Sequence, residues 1–304
     1  MKLVTFSLGQ NAQTSLGVVQ GDRIVDLKNL YRNLYSGEPP NWFSDVGSLL
    51  NGGEAAMELA RDVARLANTQ RSGDVLLGLD SVYYHPPVPR PGKILCIAAN
   101  YAEHSKEVGG TVSEEPYIFT KLQTCLVGHR WPITMPRVTK QFDHEIELAV
   151  VIGKRGKYIS RENALDHVAG YTVFNDVSSR DFRFHKVERY KMNWLRLKSM
   201  DGAAPNGPWL VTKDEVDDPH NLRLVQRVNG EVRQDGSTSK MTFKIQEIIE
   251  YTSVGITLLP GDIISTGTPP GVGLATGKFL KAGDVLESEI EKIGTLVNPV
   301  ESEP

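Results

Sequence analysis

Cysteine is nearly absent: only Cys96 and Cys125 occur in 304 residues, and Cys96 sits in an apolar run. A disulfide framework is therefore not expected, and a reducing, cytoplasmic setting is. No apolar stretch approaches the roughly 20 residues of a membrane-spanning helix. The opening Met1-Lys2-Leu3-Val4-Thr5-Phe6-Ser7 turns polar too soon for a signal peptide. An excess of charge of one sign is also missing. With 34 Lys and Arg against 37 Asp and Glu, the net charge is −3, which offers no basic surface to nucleic acid or to a membrane. The Gly-rich stretch from Thr266 to Gly273 lacks a following Gly-Lys-Ser/Thr and matches no dinucleotide fingerprint. What is there is an ordinary globule, 40% hydrophobic and 23% charged. The length suffices for one large domain or a large one with a smaller companion.

The chemistry centres on Phe142-Asp143-His144-Glu145-Ile146-Glu147-Leu148-Ala149-Val150-Val151-Ile152-Gly153, whose β-branched run predicts a strand. Side chains alternate along a strand, so Glu145 and Glu147 share a face, with Cα atoms about 6–7 Å apart. Two carboxylates so placed repel one another unless a cation lies between them. Alone, such a pair also suits the wet edge of an exposed strand. A third carboxylate tips the balance: the run Gly170-Tyr171-Thr172-Val173-Phe174 stops abruptly at Asn175-Asp176, where a strand end can meet a site beside the sheet. Three oxygen donors suit Mg²⁺ or Mn²⁺ better than zinc. No zincin motif follows His144-Glu145, because position 148 is leucine.

From Lys93 to Val300 the chain resembles the catalytic domain of the fumarylacetoacetate hydrolase family. The matching pieces, in the family's order, are Asn100-Tyr101-Ala102-Glu103-His104, Asp143 to Leu148, Asn175-Asp176-Val177-Ser178-Ser179-Arg180-Asp181, Lys198-Ser199 and Thr266 to Gly273. The resemblance implies a mainly β fold with some α (α+β). A small N-terminal α+β domain (1–85) and a proline-rich linker (86–92) would precede a β-rich, metal-dependent catalytic domain (93–304). It also implies a homodimer.

The residues bear on these expectations in chain order. Leu3 to Leu8 and Ser15 to Leu27 suggest strands, the latter hinged at Gln20-Gly21-Asp22, and Ala56, Leu59, Ala60, Val63 and Ala67 fall at helical spacing. Four prolines between His85 and Pro91 favour extended chain. His104 and Glu107 are spaced to share a helix face, where a carboxylate can fix the imidazole tautomer. As residues alone they could be a surface pair. The resemblance makes them the catalytic dyad, on a segment that closes over substrate, and Gly109-Gly110 just beyond offers flexibility for such closure. It further implies that Lys198 stabilises an enolate or oxyanion, that Lys121 faces the site, and that Gly267 and Thr268 belong to a loop closing around a 2-oxo acid. Thr268 offers a hydroxyl to a carboxylate. Two positions depart from the family pattern: Leu122 follows Lys121 where proline or serine is usual, and Arg183 replaces a substrate-contacting glutamine. The basic segment from Arg183 to Lys191 is either a solvated loop or places Arg183 against a carboxylate at the far end of the substrate. Asn229-Gly230 predicts a type I′ hairpin, and Ile245, Ile248, Ile249 and Thr252 an amphipathic helix.

The resulting expectation is a metal-dependent hydrolase cleaving a C–C bond in a 2,4-dioxo acid. Glu145, Glu147 and Asp176 would hold the metal, with His104 and Glu107 as base. Oxaloacetate decarboxylation, or isomerisation or hydration of unsaturated 2-oxo dioates, is the alternative reading. A non-catalytic binder of 2-oxo or sugar acids is the reading from another class, disfavoured because a pure binder has no use for the dyad.

Overall fold

The computed structural model describes residues 1–69, 74–182 and 192–304. The strand carrying Glu147, Ile146–Ile152, is buried along its whole length. That agrees with its unbroken β-branched and apolar composition, which suits burial on both faces. It pairs antiparallel with Val168–Asn175 on one side, Ile146 opposite Asn175, and with Ile263–Ser265 on the other. Beyond these lie Ile94–Ala98, parallel to Ile263–Ser265, and then Tyr117–Thr120. The strand ends at Ala98, Asn175 and Ser265 thus gather around the entry of the Glu147 strand, and the polar segments that follow them converge at one place.

Ala204–Thr212 pairs with the other side of Val168–Asn175. It also receives the first strand of the chain, Lys2–Ser7, with Lys2 opposite Val211. Ser15–Gln20 and Arg23–Asp26 continue outward as the expected hairpin. The N-terminal segment is therefore hydrogen-bonded into the same sheet as the acidic strands. Its helix, Gly53–Arg65, buries Ala56, Ala60 and Val63. These share one apolar cluster with Ala149, Val151 and Phe174 of the central strands. The proline-rich stretch is packed rather than free: Val88 is in that cluster, and the Thr5 hydroxyl donates to the Pro87 carbonyl at 2.7 Å.

A second sheet runs Glu231–Ser237, Arg223–Val228, Val285–Ile290, Gly294–Ser302 and Ile133–Met135. Its Asn229-Gly230 turn has φ of 52° and 80°, the positive pair that a type I′ turn demands. The amphipathic helix forms over Ile245–Thr252, while Arg161–His167 is a 3₁₀ helix. Among the described residues no helix is long and apolar enough to cross a membrane.

The closest approach in the main sheet is at Gly170, where a Cβ would stand 2.1 Å from the Val211 carbonyl oxygen. Gly170→Ala is expected to destabilise the protein by about 3 kcal/mol, as overpacking does when backbone must move. Thermal unfolding against wild type checks this.

Candidate metal and acid–base site

Glu145 lies just ahead of the Ile146–Ile152 strand, and its carbonyl accepts from the Asp176 N–H at 2.8 Å. The Asn175 side chain accepts from the Glu145 N–H at 2.9 Å. This double tie fixes the two strand ends, so Glu145, Glu147 and Asp176 bring one carboxylate oxygen each within 4.8 Å of one another, all buried. Donors of this kind, hard oxygens with no sulfur or nitrogen, fit a divalent cation such as Mg²⁺ or Mn²⁺.

Among the described residues, the charges around them do not balance. Lys121, directly after the Tyr117–Thr120 strand, donates to Asp176 at 2.7 Å and to the Val177 carbonyl at 3.1 Å. Lys198, at the end of the short helix Trp194–Lys198, bridges Glu145 at 2.7 Å and Asp176 at 2.5 Å. Arg180 bridges Asp143, at 2.9 Å, and Glu145. Asp143 also accepts the N–H groups of Gly273 and Leu274. Four buried carboxylates (Asp143, Glu145, Glu147, Asp176) thus face three buried cations (Lys121, Arg180, Lys198).

Among the described residues, Glu147 is the carboxylate left without an ion pair. It accepts only from the Ser265 hydroxyl and, at 2.8 Å, from the Gly267 N–H. Burial, then the charges of Asp176 and Glu145, push it up to about 8. Burial would raise Glu145 as well, but Lys198 and Arg180 together outweigh it and hold Glu145 far below the usual carboxylate range. Burial would lower Lys198, yet Asp176 and Glu145 keep it above its ordinary value. A divalent cation at the triad would supply the positive charge that Glu147 lacks.

Above the triad is a cavity of about 330 Å³. His104, Arg180, Lys198 and Thr268 line it together with apolar Ile97, Phe119, Trp194 and Leu197. His104 is buried on the helix Ala102–Glu107, and its Nδ1 lies 2.8 Å from Glu107 Oε1, so the spacing read from sequence does bring the two together. Both Glu107 oxygens accept the Gly271 N–H at 3.0 Å. The helix is rooted by Asn100, whose amide donates to the Thr266 carbonyl at 2.7 Å and accepts from the Phe243 N–H at 2.8 Å. Gly267 needs to be glycine here: its φ is +94°, and a Cβ would stand 2.7 Å from that of Asn100.

Two candidates sit differently from their sequence reading. The Thr268 hydroxyl donates to the Ile146 carbonyl at 2.8 Å, so its proton is committed to backbone rather than offered to a ligand. The Gly267 N–H serves Glu147. Arg183 and the basic segment after it lie outside the described residues. Asp143, Arg180 and Ser265 carry roles that sequence reading did not assign, although Asp143 and Arg180 stand inside the quoted motifs.

Comparison with known proteins identifies the family. A family model described as Fumarylacetoacetate (FAA) hydrolase C-terminal matches residues 93–301. The chain belongs to the fumarylacetoacetate hydrolase family. It is 42% identical over 304 residues to the mitochondrial oxaloacetate tautomerase FAHD2A of Bos taurus, covering 99% of this chain and 91% of that one. It is 40% identical over 311 residues to the oxaloacetate tautomerase YisK of Bacillus subtilis (strain 168), covering 99% and 100%. A maleylpyruvate hydrolase from Sphingobium sp. SYK-6, solved with manganese(II) and pyruvate, superposes with a TM-score of 0.74 at 30% identity, covering 100% of both chains. The family's β-rich fold with some helix is the one observed.

The unpaired carboxylate has a measurable signature. Glu147 ionises near 4.5 when unfolded and near 8 in the folded metal-free chain, so the folded state holds an extra proton between those values. The Glu147 contribution to metal-free stability therefore falls as pH rises from about 4.5 to 8. Glu147→Gln removes that decline: stripped of metal, it is expected to melt no lower than wild type at pH 8, while losing the rise in Tm that Mn²⁺ gives wild type. Thermal melts at pH 6 and 8, with and without Mn²⁺, read both effects.

Proposed function

We propose that this protein is a metal-dependent oxaloacetate tautomerase, interconverting the enol and keto forms of a short 2-oxo dioate. The likeness to oxaloacetate tautomerases at 40–42% identity over 99% of the chain carries the reading, joined to a site in which a base and a hard-cation centre face one small cavity. Glu145, Glu147 and Asp176 would hold Mg²⁺ or Mn²⁺. The ion would supply a Lewis acid for the 2-oxo acid oxygens and lower the cost of negative charge on the C2 oxygen.

The chain's own groups account for the rest. Keto–enol exchange moves one proton between C3 and the C2 oxygen. His104 is the group placed to carry it: Glu107 accepts from Nδ1–H, which leaves Nε2 as the basic nitrogen. Lys198, kept protonated between Glu145 and Asp176, adds positive charge beside the cavity as the enolate develops. The apolar wall of Ile97, Phe119, Trp194 and Leu197 limits water and strengthens these interactions. Lys121 braces Asp176, while Gly267 and Thr268 shape the loop around the substrate. Arg183 is assigned to the distal carboxylate. Arg183→Gln is expected to slow turnover of a dicarboxylate relative to a monocarboxylate, and unchanged relative rates would remove the assignment. A cytoplasmic homodimer with a small-molecule 2-oxo acid substrate completes the proposal.

Hydrolysis of a 2,4-dioxo acid is the second reading, favoured by the likeness to maleylpyruvate hydrolase. It would use the same His104 and Glu107 to activate water. The readings separate in one assay: enol oxaloacetate and acetylpyruvate are given to Mn²⁺-loaded protein, and enol absorbance, pyruvate, acetate and CO₂ are followed together. Tautomerase predicts loss of the enol above the buffer rate with no pyruvate. Pyruvate with CO₂ would mean decarboxylation, and acetate from acetylpyruvate would mean hydrolysis. His104→Asn is expected to lower kcat about 10²–10⁴-fold and to leave Mn²⁺ affinity unchanged.

A further inference from the structure

Gln234 lies in the middle of Glu231–Ser237, the outer strand of the second sheet, and is fully buried. A buried primary amide must place all its polar atoms, and this one does so across two separate segments. Its Oε1 accepts from the Ile146 N–H at 3.2 Å and lies 3.0 Å from His144 Nδ1. Its Nε2 donates to the Pro269 carbonyl at 2.7 Å and to the Thr268 hydroxyl at 2.8 Å. The amide orientation is dictated by its backbone partners, because an N–H can only donate and a carbonyl can only accept. One side chain therefore ties the root of the acidic strand to the loop that follows Ser265.

That loop in turn holds the dyad. Gly271 gives its N–H to both oxygens of Glu107. Gly271 lies close against the Gln234 strand: its φ is +109°, and a Cβ would stand 2.2 Å from the Arg233 carbonyl oxygen. At the loop's other contact, a Cβ on Gly236 would stand 2.5 Å from Pro269 Cβ. The contacts run without a break from Ile146, through Gln234, Thr268 and Gly271, to Glu107 and His104.

We infer that Gln234 is a positioning residue that sets where the His104–Glu107 helix docks over the acidic triad, by fixing the loop whose Gly271 N–H receives Glu107. The inference rests on the proposed role of the dyad, but its first readout needs no turnover. In Gln234→Met, an apolar side chain of similar shape, the bonds to the loop are lost while the carboxylates keep their own partners. Hydrogen–deuterium exchange is expected to quicken about tenfold or more for the amides of 102–108 and for Gly271, and to stay at the wild-type rate in 147–152. Mn²⁺ affinity stays at the wild-type value. Thr268→Val removes the Gln234–Thr268 and Thr268–Ile146 bonds, leaves the Gln234–Pro269 bond in place, and is expected to give a weaker form of the same exchange pattern, which covers the case of a Gln234 variant that folds poorly. On the substrate that the protein turns over, Gln234→Met is expected to lower kcat about 10–100-fold, and the double variant with Glu107→Gln to be no slower than Glu107→Gln alone. Unchanged exchange of the helix in both variants would overturn the inference, as would kcat losses that multiply in the double variant. Absence of enol turnover in wild type would fell the tautomerase reading and leave the exchange result to judge Gln234.

Discussion

Among the described residues, the structure turns on a deficit of one positive charge in a buried cluster. Lys121, Lys198 and Arg180 satisfy Asp143, Glu145 and Asp176, and Glu147 is left with a hydroxyl and an amide. Burying ions is costly even when they pair, and an unpaired one takes up a proton instead. The fold tolerates the arrangement because the carboxylates are anchored through backbone as well as charge. The Asp176 N–H is bound to the Glu145 carbonyl, and the Glu145 N–H to Asn175. Repulsion within the triad therefore cannot simply push it apart. The deficit is the property that suits the cluster to a cation from outside.

The same constraint divides the cavity's labour. On one wall the carboxylates and their lysines have fixed partners and little freedom. Opposite them stands the short helix with His104, held by Asn100 at its root and by Gly271 at Glu107. A rigid charged wall and a separately docked imidazole are what the proposed proton transfer would require.

How much of this could be read from the sequence follows from how local each feature is. The acidic triad was legible because strand alternation puts Glu145 beside Glu147 and because Asp176 stands where an apolar run breaks off. The hairpin at Asn229-Gly230 and the helix at Ile245–Thr252 were legible for the same reason, since period and turn chemistry are local. The pairing of Lys2–Ser7 with Ala204–Thr212 was not, because nothing in either segment names a partner some two hundred positions away. The charge deficit was equally hidden. Asp143 and Arg180 stood in plain view within the motifs, but only the fold shows that both are buried and paired with one another. Ser265 sits next to the Thr266–Gly273 loop, yet its hydroxyl matters through Glu147, which precedes it by more than a hundred residues. Gln234, in a strand that reads as plain scaffold, takes its meaning from a loop that folds back onto it.

The unbroken main sheet has a consequence for where the carboxylates stand. Lys2–Ser7 is stitched to Ala204–Thr212, that strand to Val168–Asn175, and that one to the strand of Glu147. The Gly53–Arg65 helix shares its apolar packing with the same central strands. Among the described residues, backbone pairing and apolar packing run without interruption from the first strand to the strands that carry the carboxylates. The carboxylates thus stand on a sheet whose outer strands come from a segment that supplies none of the three.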